Sequence, residues 1–103
     1  MQIKSKAADR TLYIYLQGEL DECFADRFRS GIDSLINTGV YYQNIVFNLR
    51  ELSFMDSTGI GVLIGRYKKF KESGVNFYIQ APPLNVEKVL ELSGIYSIMR
   101  KAQ

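Results

Sequence analysis

The sequence has 103 residues, 47% of them hydrophobic, and thirteen Lys and Arg against eleven Asp and Glu, a formal charge of +2. That is the length of one domain, spanning residues 1–103, and area scaling buries about 65% of the unfolded surface, enough for a core without a disulfide or metal. The absence of any histidine excludes Ser/His/Asp and Cys/His catalysis, histidine zinc ligation and histidine pH sensing.

Cys23 is alone, which excludes an intramolecular disulfide and a cysteine cluster, points to a reducing compartment, and predicts a small buried hydrophobe. The net charge is too small to argue for nucleic acid, and the one basic cluster, Arg66, Lys68, Lys69 and Lys71, reads as a solvated helix face. Neither a signal-peptide h-region nor a run of about eighteen apolar residues occurs, so no membrane contact is expected and the protein is expected in the cytoplasm.

In chain order, residues 2 to 6 are predicted to pair with residues 11 to 17 through a turn at Ala7 to Arg10. In that second segment Leu12, Ile14 and Leu16 alternate with Tyr13, Tyr15 and Gln17, the period of a half-buried strand. From Asp21 to about Thr38, Phe24, Phe28, Ile32, Leu35 and Ile36 recur at helical spacing, with Asp21 as cap and Gly39 as stop. Residues 44 to 49 form an apolar run of buried-strand length, and residues 57 to 73 a second helix stopped by Gly74. Residues 75 to 80 read as another strand, Pro82-Pro83 as a turn, and residues 84 to 93 as a helix carrying Val86, Val89 and Leu90 before Gly94. The fold class is α/β: an antiparallel N-terminal hairpin leading into a mostly parallel sheet of four to five strands, with helices packed on it.

The densest signal runs from Leu52 to Arg66, where a buried strand hands over to a helix. Gly59 and Gly61 begin like a dinucleotide fingerprint, but its third glycine falls at Ile64; a P-loop fails because Gly65 is followed by Arg66 and Tyr67. A receiver-type reading of Asp56 fails because no Lys follows Gln80 in the expected place. Ser57 sits in the first turn of the helix, where it reads most simply as the N-cap. On a helical wheel Ile60, Leu63, Tyr67 and Phe70 make the core stripe, while Gly61, Gly65 and Lys68 share another face with Ser57. Each interior glycine costs about 1 kcal/mol relative to alanine. Close backbone packing is one reason for such a strip; the other is a shallow surface that lets a partner approach Ser57. Gly18-Glu19-Leu20-Asp21 and Gln80-Ala81-Pro82 belong to the same sheet edge, where ligands of parallel sheets gather.

Three stretches, Gly18-Glu19-Leu20-Asp21, the run from Asn48 to Val62 and Gly65-Arg66-Tyr67-Lys68, together with Leu92-Ser93-Gly94-Ile95, resemble the STAS-domain anti-sigma factor antagonists, most closely the branch that frees the sporulation sigma factor F. The resemblance spans nearly the whole chain and implies a STAS fold and no enzymatic activity. It implies that Ser57 is phosphorylated by a serine kinase that is itself the anti-sigma factor, and that Asp21, Glu22, Asp56, Ser57, Thr58, Gly59, Ile60, Gly61 and Gly65 form the partner-binding surface. It further implies that the unphosphorylated form binds the kinase and releases the sigma factor, and that a PP2C-type phosphatase resets the phosphorylated form. No cofactor is implied for this chain, since ATP and its metal belong to the kinase, and no direct contact with nucleic acid.

The free N–H groups and dipole of a helix N-terminus favour an anion such as a phosphate on Ser57. Glu22 and Cys23 stand where relatives often carry histidines. Relatives also extend into a last helix packed on the sheet, whereas this sequence stops at Gln103 soon after Ile95, Ile98 and Met99, so an uncovered apolar patch is expected if that helix is missing. Two other readings remain at this stage: a module that binds a nucleotide or small ligand at the glycine strip, and a scaffold STAS domain in a stress-response complex.

Overall fold

The structure, a computed structural model, describes residues 1–102. Strands β1 (Gln2–Ala8) and β2 (Thr11–Leu20) form the antiparallel hairpin, followed by α1 (Ala25–Ile36), β3 (Asn44–Met55), α2 (Ser57–Phe70), β4 (Asn76–Gln80), α3 (Leu84–Ser93) and β5 (Arg100–Ala102). The sheet order is β1-β2-β3-β4-β5, with every pair after the first parallel. Sequential parallel neighbours joined by right-handed crossovers put all the helices on one face. Phe28 and Ile32 of α1, Val62 and Leu63 of α2, and Val86 and Leu90 of α3 join Ile14, Leu16, Phe47, Leu49 and Ile79 in a single buried cluster. Val46, only 5% exposed, lies outside that cluster. It sits in register between Tyr13 and Tyr78 on the opposite sheet face.

The hairpin turns through Asp9 and Arg10, both at positive φ (51° and 61°). That conformation matches the twist of the flanking strands and is ordinarily given to Asn-Gly. Gly74 and Gly94 end their helical segments at φ 81° and 77°, as their positions in the sequence predict. Helix α1 is tied to α2 by Asp33, which takes Arg66 Nε at 3.0 Å and Lys69 Nζ at 2.8 Å. Two members of the basic cluster are therefore paired between helices rather than simply solvated.

Several expectations are corrected. Helix α1 begins at Ala25, not Asp21: the Asp21 carboxylate accepts the Phe24 N–H at 3.2 Å in a preceding turn, and the N-cap, Phe24, makes no side-chain capping bond. Cys23 lies in that turn and is exposed, because the helix that would have buried it has not yet started. Strand β3 continues six residues beyond Leu49; the β2 pairing shifts register on either side of Gln17 and Gly18, which breaks the alternation a sequence pattern relies on. The last element is β5, whose three residues carry no strand pattern of their own. Ile95 and Met99 are buried beneath it and Ile98 is 36% exposed. Tyr96 donates to Glu87 Oε1 at 2.6 Å while Lys101 reaches Glu87 Oε2 at 3.3 Å, so β5 is held to α3. Burial, then the Glu87 bond, push the Tyr96 pKa above the usual tyrosine range, keeping the hydroxyl a donor.

Because Arg10 adopts a left-handed conformation that costs a non-glycine residue about 1 kcal/mol, Arg10→Gly is expected to raise the unfolding free energy by up to that amount in urea titration. An unchanged or lower midpoint would contradict this account of the turn.

Candidate partner-binding site at the strand-to-helix edge

Strands β2 and β3 finish side by side, Leu20 opposite Met55, so the residues that follow them, Asp21 and Asp56, share one corner of the sheet. Asp56, in an extended conformation, is the N-cap of α2: its Oδ1 accepts the Thr58 N–H at 2.9 Å and the Gly59 N–H at 3.1 Å, and its carbonyl accepts the Ile60 N–H at 3.1 Å. The cap is thus Asp56, and Ser57 is the first helical residue. Its side chain is released from capping and is exposed. Both residue types cap well, which is why the sequence alone does not separate them.

A consequence concerns any phosphate placed on Ser57. The N–H groups that would neutralise it are already occupied by Asp56, apart from that of Ser57 itself. The expectation of a terminus with free donors is corrected: a dianion here would stand beside an engaged carboxylate and point outward into water.

The glycines of α2 divide sharply. A Cβ on Gly59 would lie 2.5 Å from the Leu20 carbonyl oxygen and 2.8 Å from the Met55 side chain, so this residue lets the start of α2 close onto the ends of β2 and β3. Added to Gly61 or Gly65, a Cβ would meet nothing within 4 Å. Close packing therefore explains Gly59 and not the other two, whose bare strip faces open space. Gly59 and Ile60 are buried; within the expected surface Gly59 underlies Ser57, Thr58 and Gly61, whereas Ile60 still lines the groove beside Ser57. Glu22 is exposed and Asp21 half-buried at the neighbouring corner.

Sequence reasoning missed the far wall of this site. An apolar groove of about 270 Å³ runs from Ser57 between α2 and α3, lined by Ile60, Val89, Leu92 and Ser93. Leu92 is 91% exposed and Leu84, two turns earlier on α3, 72% exposed. The signal was present in the sequence: both leucines fall off the stripe defined by Val86 and Leu90 and had no core role to fill. Asn85 fastens α3 to this edge by donating to the Ser53 carbonyl at 2.9 Å.

With this geometry in view, comparison with known proteins is direct. Residues 2–102 match the STAS domain family. The chain belongs to the STAS-domain family of anti-sigma factor antagonists. It is 34% identical over 99 residues to the anti-sigma F factor antagonist of Paenibacillus polymyxa, covering 96% of this chain and 84% of that one. Its fold superposes on the unphosphorylated form of the anti-sigma factor antagonist SpoIIAA with a TM-score of 0.80 at 31% identity, covering 99% and 89% of the two chains. The phosphorylated form of the Bacillus cell fate determinant SpoIIAA gives 0.71 at 30% identity, covering 99% and 92%. No described helix is long and apolar enough to cross a membrane.

The two classes of glycine make opposite predictions. Gly61→Ala is expected to stabilise the protein by about 1 kcal/mol, since it fills only open space and removes backbone freedom. Gly59→Ala is expected to destabilise by at least 2 kcal/mol, because the clashing partner is backbone. Thermal unfolding of the two variants checks both signs; a stabilised Gly59→Ala would contradict the close approach of α2 to Leu20.

Proposed function

We propose that this protein is an anti-sigma factor antagonist whose unphosphorylated form binds an anti-sigma serine kinase through the exposed corner around Ser57, and whose phosphorylation on Ser57 ends that binding. The observation that carries this reading is an exposed serine hydroxyl, free of capping duty, between a bare glycine strip and an apolar groove. Such a combination suits a protein partner that must bring its own catalytic groups close to one side chain. The names of the relatives support the antagonist role, and the 34% identity to an anti-sigma F factor antagonist favours sigma factor F as the factor released. The protein acts in the cytoplasm as substrate and inhibitor of the kinase; ATP and its metal come with the kinase, and a PP2C-type phosphatase removes the phosphate.

The physical basis of release is local. A phosphoserine adds about −1.5 to −2 charge. Here it would lie beside Asp56, whose carboxylate already holds the N–H groups of Thr58 and Gly59. Docking a partner over the corner would strip water from the dianion and leave it only the Ser57 N–H as a donor from the first turn of α2, a like-charge desolvation cost of several kcal/mol. The exposed Leu92 and the groove next to Ser57 provide the apolar anchor of the contact, and Asp21 and Glu22 a charged rim that steers it.

Incubation with the anti-sigma kinase and magnesium-ATP is expected to add one phosphoryl group to the wild-type chain and none to Ser57→Ala, read by intact mass. In titration calorimetry Ser57→Ala is expected to bind the kinase as wild type does, and Ser57→Asp about a hundredfold more weakly. Equal affinity for Ser57→Asp would sink the electrostatic account of release. Phosphorylation persisting in Ser57→Ala would move the acceptor, with Thr58 the nearest hydroxyl.

A further inference from the structure

The helices all pack on one face of the sheet, whereas sheets built from parallel strands are ordinarily covered on both. Strand register lays out the other face in rows. One runs Lys6, Tyr13, Val46, Tyr78, Arg100, and the next begins Lys4, Tyr15, Asn48. The middle of the face is apolar and aromatic: Val46 is buried and the three tyrosines are half-buried. The Asn48 amide already donates to Gln80 Oε1 at 2.9 Å and that of Asn44 to Thr11 Oγ1 at 3.3 Å, which lowers the cost of covering them. Two depressions interrupt the surface, one of about 220 Å³ over Val46 between Tyr13 and Tyr78, the other of about 290 Å³ beside Tyr15 and Gln17. They are offset by about four residues along β2, roughly 13 Å, a span of two to three helical turns.

The charges stand at the flanks. Lys4 and Lys6 lie on β1 and Arg100 on β5, all exposed and, among the described residues, in no ion pair. Adjacent strands are about 4.8 Å apart, so these flanks lie about 10 Å to either side of β3, within reach of long side chains on the shoulders of a helix about 10 Å across laid along the middle strands. Glu51 stands opposite Gln17 at the end where β2 finishes, which favours the N-terminus of such a helix there. A second copy of this chain fits poorly, because the same face turned on itself sets three unpaired cations against three more. A bilayer fits poorly too, since half-buried tyrosines offer no projecting side chain to insert.

We infer that the open sheet face docks an acidic amphipathic helix of a protein partner, its apolar stripe seated over Tyr13, Val46 and Tyr78 and its carboxylates meeting Lys4 and Lys6 on one side and Arg100 on the other. The face lies across the sheet from α2, and the inference is independent of the phosphorylation reading.

The probe is a synthetic helix of about fourteen residues, the length of the face between Thr11 and Gln17, with leucines along one stripe and glutamates on both shoulders. In amide NMR titration it is expected to shift Tyr13, Val46 and Tyr78 and to leave residues 57 to 61 unmoved. Replacing its glutamates by lysines is expected to weaken binding about tenfold. The double variant Lys6→Glu with Arg100→Glu, exposed substitutions that leave the melting temperature unchanged, is expected to lose a similar factor toward the glutamate peptide and to regain it toward the lysine peptide. The inference is overturned if the glutamate peptide at millimolar concentration leaves these amides unmoved, if the lysine peptide binds the wild-type chain as tightly, or if the charge-swapped pair recovers nothing. Tighter association of the same residues with phosphatidylglycerol vesicles would overturn it in favour of a membrane, and self-association that shifts these amides as the protein is concentrated would overturn it in favour of a second copy.

Discussion

The whole functional edge depends on how one carboxylate closes the junction between β3 and α2. Asp56 Oδ1 holds two backbone N–H groups of the first helical turn, and that turn can lie so close to the ends of β2 and β3 only because Gly59 has no side chain to strike the Leu20 carbonyl. With the helix capped from the strand side, the first helical residue has nothing left to do for the fold. Ser57 is consequently presented rather than used, and the exposed glycines that follow keep the approach to it clear.

The same geometry decides what a charge at Ser57 does. A helix N-terminus is ordinarily a favourable place for an anion, but that advantage belongs to whichever group reaches the N–H donors first. Here Asp56 has them. On the proposed reading a phosphate would act on whatever docks over the corner rather than on the helix beneath it, and a small, tightly packed domain would change partners while its core, from Ile14 and Phe47 to Leu63 and Leu90, stays as it is. In the proposed function the apolar groove beside Ser57 and the exposed Leu92 would follow the same logic, an anchor placed next to the charge that opposes it.

Much of this was legible in the sequence, and the illegible parts share a cause. The alternation of Leu12, Ile14 and Leu16 with Tyr13 and Tyr15 placed β2, the stripe from Ile60 to Phe70 placed α2, and the cost of interior glycines drew notice to Gly61 and Gly65. Gly59 was indistinguishable from them until the Leu20 carbonyl was in view, because the constraint on it comes from a strand nearly forty positions away. Asp56 and Ser57 competed as caps because their local chemistry is equivalent. Cys23 was misplaced because α1 begins a turn later than Asp21 suggested. The continuation of β3 past Leu49 and the existence of β5 are set by pairing with neighbours across the sheet, which no local period records. Leu84 and Leu92 were visible only as leucines without a core assignment.

The central claim is that phosphorylation changes the surface at Ser57 without refolding the domain. The most direct test is the amide NMR spectrum of the stoichiometrically phosphorylated protein against that of the unmodified chain. The account predicts shifts confined to Met55–Gly61 and the adjoining Leu20–Glu22 corner, with α1, β4 and α3 unmoved and kinase binding lost. Shifts spreading through α1 or the β4–β5 edge, or retained kinase binding with the phosphate in place, would contradict it.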